Sequence, residues 1–477
     1  MLRRTKIVAT LGPTSDDPKT IDKMIEAGVD VVRLNFSHGK AEQHIQRAET
    51  VRSLARARGK TVGVLVDLQG PKIRIGKFAQ GRITLSNGDP FILDANCELG
   101  NQERVGLDYK ELPHDVTRGS TLLLDDGRIV LWVVAVEGAE IMCKVIQGGE
   151  LSNNKGINRQ GGGLSAAALT EKDVEDIKTA AQLKADYLAV SFPRCGADVQ
   201  QARELLRAAG GKSMLVAKIE RAEAVTALEE ILDASDAIMV ARGDLGVEVG
   251  DAAVPALQKR MIRMARERNK LVITATQMME SMIHSPIPTR AEVSDVANAV
   301  IDGTDAVMLS AETAAGRYPV ETVAAMSRIC IEAEKENEPI LGQYRMGKSF
   351  SRMDESIAMA AIFTANHLNV RAIAALTQSG STCLWMSRMS SGVPIYALTP
   401  EVETRRKVTL FRGVYPINFK TSSKVREQLL IEAEDELRRR GAVRDGDLIV
   451  LTIGEPIGKS GGTNTLKIVK VGERRKA

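Results

Sequence analysis

Short runs of apolar and β-branched residues, each closing on polar positions, recur along the chain: Thr5 to Thr10, Val31 to Phe36, Thr61 to Leu68, Tyr187 to Phe192, Met214 to Ile219, Ala237 to Ala241, Leu271 to Thr276 and Ala306 to Ser310. These eight runs read as strands. Between most of them the apolar positions change to helical spacing, as in Ala41 to Arg58, Glu171 to Lys184 and Ala252 to Arg268, so strand and helix alternate. Several strands enter through one phrase: Ala27-Gly28-Val29-Asp30, Lys184-Ala185-Asp186, Ala234-Ser235-Asp236 and Gly303-Thr304-Asp305. This weak internal repeat predicts an α/β fold built on one closed (β/α)8 TIM barrel.

The alternation breaks after the third strand. Lys72 to Ser165 shows strand-like alternation and turn signals such as Asn87-Gly88-Asp89 and Asp125-Asp126-Gly127, without a convincing helix. The expectation is an inserted all-β domain, residues 71–165, hinged at Pro71 and at Gly161-Gly162-Gly163 and overhanging the barrel as a lid. The barrel then comprises residues 1–70 and 166–338. Past a polar stretch from Lys335 to Ser351, a helix at Glu355 to His367 and strands at Val370 to Leu376, Pro394 to Leu398, Val414 to Phe419 and Asp447 to Ile453 predict a C-terminal α/β regulatory domain, residues 339–477.

Bulk properties narrow the function. A length of 477 residues suggests about three domains, and 44% hydrophobic with 26% charged residues is the balance of a globular protein with large cores. A net charge of +4 and 3% aromatic residues give no basis for nucleic-acid binding. Cys97, Cys143, Cys195, Cys330 and Cys383 are too far apart in sequence for a redox pair or a clustered zinc site and read as small hydrophobes in a reducing compartment. With no signal-like or membrane-length apolar run, the expected location is the cytoplasm and no membrane partner is expected.

In a barrel of this kind, polar residues at the C-terminal ends of strands face the substrate. Here strand two ends in Arg33-Leu34-Asn35-Phe36-Ser37-His38, strand three in Asp67 with Lys72 and Arg74 beyond, strand five in Lys218-Ile219-Glu220, strand six in Arg242-Gly243-Asp244, strand seven in Thr276, and strand eight in Ser310 and Glu312. The set has many cations and carboxylates and no dominant Cys or His nucleophile, which favours phosphoryl transfer. Glu220 and Asp244 are oxygen ligands suited to Mg2+, with Mn2+ as an alternative. Each residue alone has a plainer reading: Asp244 a turn aspartate, Arg33 and Arg74 surface ion pairs, Thr276 a capping hydroxyl, Lys218 a rim charge. Placement on one barrel face argues for a joint site, and Lys218 within an apolar run is costly to bury unpaired.

At these residues the chain resembles the pyruvate kinase family, in its compact bacterial form without an animal-type N-terminal extension. The resemblance rests on Thr5-Lys6-Ile7-Val8 with Leu11-Gly12-Pro13, Arg33 to Gly39, Ala217-Lys218-Ile219-Glu220, Met239 to Gly246, Ala275-Thr276-Gln277-Met278, Pro288 to Glu292 and Met308 to Ala314. It implies phosphoryl transfer from phosphoenolpyruvate to ADP, giving pyruvate and ATP, in a homotetramer. Glu220 and Asp244 then hold Mg2+, Lys218 neutralises the transferring phosphoryl group and the enolate, and Arg33 meets the phosphoryl group. Backbone from Ala241 through Arg242 and Gly243 to Asp244, with the Thr276 hydroxyl, holds the substrate carboxylate. Arg74, His38, Lys155 and Pro13 meet the nucleotide, and enolate protonation involves water near Thr276, Ser310 and Glu312.

The third-strand block Asp67-Leu68-Gln69-Gly70-Pro71-Lys72 departs from the family's potassium-requiring pattern, which has Thr at Leu68 and Glu at Lys72 beside positions matching Asn35, Ser37 and Asp67. The expectation is that K+ is not required, because Lys72 supplies the charge. The Thr377-Gln378-Ser379-Gly380-Ser381-Thr382 turn offers hydroxyls and N–H groups to an anion, and the resemblance favours a sugar phosphate or nucleoside monophosphate effector there. Two rival classes are weaker. Gly454-Glu455-Pro456-Ile457-Gly458-Lys459-Ser460 has three residues rather than four between its glycines and runs on into a strand, so it fails as a P-loop. A non-enzymatic scaffold does not account for the intact set of Lys218, Glu220, Asp244 and Thr276.

Overall fold

The computed structural model describes residues 2–335, 349–389, 391–421, 425–457 and 461–473. Residues 336–348, in the stretch read as a polar connection, and 458–460 of the P-loop-like segment lie outside them.

Eight parallel strands close the barrel: β1 (Lys6–Leu11), β2 (Val31–Asn35), β3 (Gly63–Asp67), β4 (Tyr187–Val190), β5 (Met214–Ile219), β6 (Ala237–Ala241), β7 (Leu271–Ala275) and β8 (Ala306–Leu309). β1 pairs with both β2 and β8, which closes the ring. Apolar side chains on both faces of each strand explain the near-continuous apolar runs, one face filling the barrel and the other packing against the outer helices.

The repeated entry phrase has a physical cause. Each of its aspartates stands at the start of an even-numbered strand and accepts a backbone N–H from the preceding odd strand: Asp30 from Ile7 and Asp186 from Val64, both at 2.8 Å, Asp236 from Leu215 at 2.8 Å, and Asp305 from Val272 at 2.9 Å. Each carboxylate is matched by an arginine: Arg3 at 2.7 Å, Arg406 at 2.9 Å, Arg203 at 3.1 Å and Arg388 at 2.8 Å respectively. Four such clamps fasten the N-terminal end of the barrel, and Arg388 and Arg406 come from the C-terminal domain.

Between β3 and β4 lies a β domain with a six-stranded sheet and its own apolar cluster running from Ile73 to Ala166. Its one helical turn, Leu112–Asp115, carries Pro113 in its first turn, where no N–H is needed, and is too short to leave a periodic signal. Gly161, Gly162 and Gly163 all have positive φ, a conformation closed to most other residues, and they return the chain to the barrel.

The C-terminal domain is a five-stranded sheet with the order β11 (Val414–Asn418), β10 (Ile395–Thr399), β9 (Ala372–Leu376), β12 (Leu448–Gly454) and β13 (Thr463–Lys470), antiparallel only between β12 and β13. A strand, not a helix, follows the P-loop-like segment. Leu410 and Phe411 share one buried cluster with Leu65 and Tyr187, so this domain closes the bottom of the barrel. No helix among the described residues is long and apolar enough to cross a membrane.

Candidate active site

Residues spaced by two on a strand share a face, so Lys218 inside β5 and Glu220 just beyond its end project together. The Lys218 ammonium lies 2.8 Å from Glu220, 3.3 Å from Asp67 and 2.7 Å from the Ser191 hydroxyl. Asp67 also accepts from Arg33 at 2.6 Å, and Arg33 reaches the Thr10 hydroxyl at 3.1 Å. Burial works against the charge on Lys218, but Asp67 and then Glu220 outweigh it and hold the ammonium above its ordinary range. Burial likewise opposes ionised Asp67, yet Lys218 and Arg33 keep that carboxyl below its usual value. Glu220 goes the other way: burial, reinforced by Asp244 and Asp67 against the pull of Lys218, pushes it up to about 7.

β6 ends at Ala241, which caps the helix Arg242–Val249. Asp244 sits in its first turn. The Gly243 N–H donates to the Thr276 hydroxyl at 2.8 Å, and that hydroxyl donates to the Ala275 carbonyl at 2.7 Å. Thr276 and Gln277 have φ of 62° and 54°, a region β-branched residues seldom occupy, so β7 ends in a strained turn next to this helix start. The Arg242 guanidinium donates to the Thr276 carbonyl at 2.7 Å and pairs with Asp295 at 2.7 Å. Its side chain therefore pins the strained turn, and its backbone belongs to the helix start.

Where the inserted β domain begins, the Lys72 ammonium lies 3.6 Å from Asp244. Leu68 is buried in the barrel core, while the Asn35 side-chain oxygen accepts the Ser37 N–H at 3.1 Å. In the inserted β domain, an antiparallel bridge between Arg74 and Gly156 brings Arg74 beside Lys155, whose ammonium holds Asp125 at 2.7 Å. His38 and Pro13 are exposed on the loops after β2 and β1. The buried Glu312 carboxylate accepts the Ser310 N–H at 2.6 Å and the Met279 N–H at 3.2 Å, which makes it a brace for the β8 end.

Sequence reasoning did not single out Ser191, which links Lys218 to Asp67 (3.3 Å) and to the Leu68 carbonyl (2.7 Å), or Thr10 behind Arg33. Ser191 directly follows β4, so the strand-end rule that selected the other residues also applies to it.

Far from this cluster, Thr377, Ser379, Ser381 and Thr382 line a cavity of 450 Å³ in the C-terminal domain. Gly380, at φ 83°, precedes the helix Ser381–Arg388, and its N–H donates to the Thr377 hydroxyl at 2.9 Å. Thr382 is buried, with its hydroxyl 2.6 Å from that of Thr463.

The chain matches the family model described as pyruvate kinase, barrel domain, over residues 2–323, and that described as pyruvate kinase, alpha/beta domain, over residues 355–469. The chain belongs to the pyruvate kinase family. It is similar to pyruvate kinase II of Salmonella typhimurium, 54% identical with 98% of this chain and 99% of the relative covered. A pyruvate kinase of Haemophilus influenzae is 56% identical, with 95% and 96% covered. A crystal structure of a pyruvate kinase from Cryptosporidium parvum superposes with a TM-score of 0.93 at 35% identity, covering 98% of this chain and 96% of that one. Membership in the pyruvate kinase family makes the chain a kinase of glycolysis with phosphoenolpyruvate and ADP as substrates.

Proposed function

We propose that the strand-end cluster transfers the phosphoryl group of phosphoenolpyruvate to ADP, with a divalent cation held by Glu220 and Asp244. The observation that carries this reading is the buried Lys218 ammonium, 2.8 Å from Glu220 and 3.3 Å from Asp67, beside Arg33 at the mouth of the barrel. The carboxylates fit a hard cation. They are oxygen donors, and burial, reinforced by the Asp244 and Asp67 charges, pushes Glu220 up to about 7, a charge conflict that a cation relieves. When bound, Mg2+ or Mn2+ supplies charge neutralisation for the phosphoryl and carboxylate oxygens of the substrate.

Three cations (Arg33, Lys72, Lys218) balance three carboxylates (Asp67, Glu220, Asp244) around the site. Arg33 and Lys218 bind the phosphoryl oxygens, and Lys218 then stabilises the negative enolate oxygen left when the phosphorus–oxygen bond breaks. The substrate carboxylate takes the Gly243 N–H and the Thr276 hydroxyl, which in the resting site bond to each other. Protonation of the enolate carbon, by water near Thr276 and the Ser310 end of β8, completes pyruvate, with Glu312 as a positioning residue. Arg74 and Lys155 on the lid, with His38 and Pro13 on the barrel, receive the nucleotide.

Lys72 supplies the positive charge that potassium gives elsewhere in the family, and Leu68, its side chain in the core, offers no side-chain ligand to such an ion. Phosphorylated metabolites, a sugar phosphate or nucleoside monophosphate, activate the enzyme from the hydroxyl-lined cavity around Ser379, Gly380 and Ser381. A lactate-dehydrogenase-coupled assay of phosphoenolpyruvate, ADP and Mg2+ tests the function; no pyruvate formation by the folded protein contradicts it.

A further inference from the structure

A second cavity, of 250 Å³, opens on the opposite, N-terminal side of the barrel, between the C-terminal end of the helix Ala41–Ala57 with the loop leading to β3 and the C-terminal domain. Six cationic side chains line it: Arg52, Arg56 and Lys60 from the barrel, and Arg405, Arg406 and Arg440 from the C-terminal domain. No carboxylate is among the lining residues. Arg406 is paired with Asp186 at 2.9 Å and Arg440 with Glu436 at 2.6 Å. Among the described residues the other four have no carboxylate within ion-pair distance.

A plainer reading is that these cations cap chain ends, and some do. Arg52 donates to the Leu183 and Lys184 carbonyls, both at 2.7 Å, Lys60 to the Ile25 carbonyl at 2.9 Å, and Arg405 to the Pro400 carbonyl at 2.9 Å. The Leu183, Lys184 and Ile25 carbonyls lie at helix C-terminal ends, which offer only about half an elementary charge. Arg405 meets neutral acceptors, the Pro400 carbonyl and the Asn418 side-chain oxygen at 2.6 Å, so such contacts offset part of a full positive charge and leave an excess. Arg56 is exposed and has no such contact among the described residues, and the Arg52 Nε is buried without a hydrogen-bond partner. Burial and then the neighbouring Arg406 charge hold both Arg52 and Arg405 below the ordinary arginine range, outweighing the opposite pull of Asp186 and Glu49 on Arg52 and of Glu401 on Arg405.

We propose that this cavity binds a small phosphorylated polyanion, a diphosphate or a metabolite carrying phosphate groups, and that the bound anion ties the barrel to the C-terminal domain. Guanidinium forks match phosphate oxygens in pairs, and an open cleft of 250 Å³ has room for a small molecule. Thr61 is the one hydroxyl residue among its lining residues, against several in the cavity around Ser381, and the site lies at the far end of the barrel from Lys218. Because both domains supply its cations, a ligand there stabilises the docked arrangement by linkage.

The test is calorimetric titration of the full chain with inorganic pyrophosphate in buffer free of divalent cations, on the native protein, on Arg56→Ala with Arg405→Ala, and on Lys218→Met and Ser381→Glu as controls for the other two sites. Saturable binding is expected to persist in both controls and to weaken at least about tenfold in the double variant, with a pyrophosphate-dependent rise in Tm seen in the native protein and lost in that variant. Arg56→Glu alone, at an exposed side chain, keeps the test decisive if the double variant misfolds. Unchanged affinity in the cavity variants, loss of binding in either control, or no saturable binding to the native protein overturns the proposal.

Discussion

The Lys72 ammonium, at the start of the inserted β domain, lies 3.6 Å from a carboxylate oxygen of Asp244, so one contact joins that domain to a proposed metal ligand. Near-full turnover in a buffer free of K+ and Na+ is expected from this charge. Lys72→Glu with Leu68→Thr is expected to lose most activity there and to regain part of it when K+ is added. Initial velocities over a K+ titration check both, and strong K+ stimulation of the native enzyme contradicts the assignment.

Protons and metal compete for Glu220. A carboxyl pushed up to about 7 by burial and by the Asp244 and Asp67 charges is protonated below that pH, and a divalent cation must displace the proton. Apparent Mn2+ affinity is therefore expected to fall about tenfold per pH unit below about 7 and to level off above it. Electron paramagnetic resonance titration of free Mn2+ reads this directly. Glu220→Gln is expected to bind weakly and to lose that slope.

Activation by sugar phosphates or nucleoside monophosphates is expected to disappear in Ser381→Glu, which puts a negative charge at the mouth of the 450 Å³ cavity. Thr382 is the poorer choice for this test because it is buried against Thr463, and a glutamate there threatens the fold itself. Velocity at sub-saturating phosphoenolpyruvate, across a panel of these metabolites, is the readout.

Arg388 and Asp305 are both fully buried and form the clamp between the C-terminal domain and β8. Arg388→Met strands the carboxylate and is expected to cost about 3–5 kcal/mol of stability. Pairing it with Asp305→Asn is expected to recover part of that loss. Denaturant midpoints of the two variants measure the difference.

What the sequence disclosed divides along a physical line. All eight barrel strands were legible because strands buried on both faces write continuous apolar runs, and the entry aspartates were visible as a repeat. Their partners Arg406 and Arg388 were not, since they arrive from another domain more than two hundred or some eighty residues away. The helix Arg242–Val249 contains Gly243 and Gly246, poor helix formers, so tertiary context rather than local pattern makes it helical. At the site, Lys218, Glu220 and Asp67 stood out as charges at strand ends, whereas Ser191 carries no charge and no motif. Arg242 was read for its backbone among the substrate contacts, and its side chain turns to Asp295 and the Thr276 carbonyl, an orientation that only packing decides.

The most direct test of the proposed chemistry is the turnover number of Lys218→Met beside the native enzyme, with folding checked by circular dichroism and Mn2+ binding by titration. Loss of one preorganised charge contact predicts a fall in kcat of about 10²–10³ in a protein that still folds and still binds Mn2+. Turnover near the native value contradicts the account.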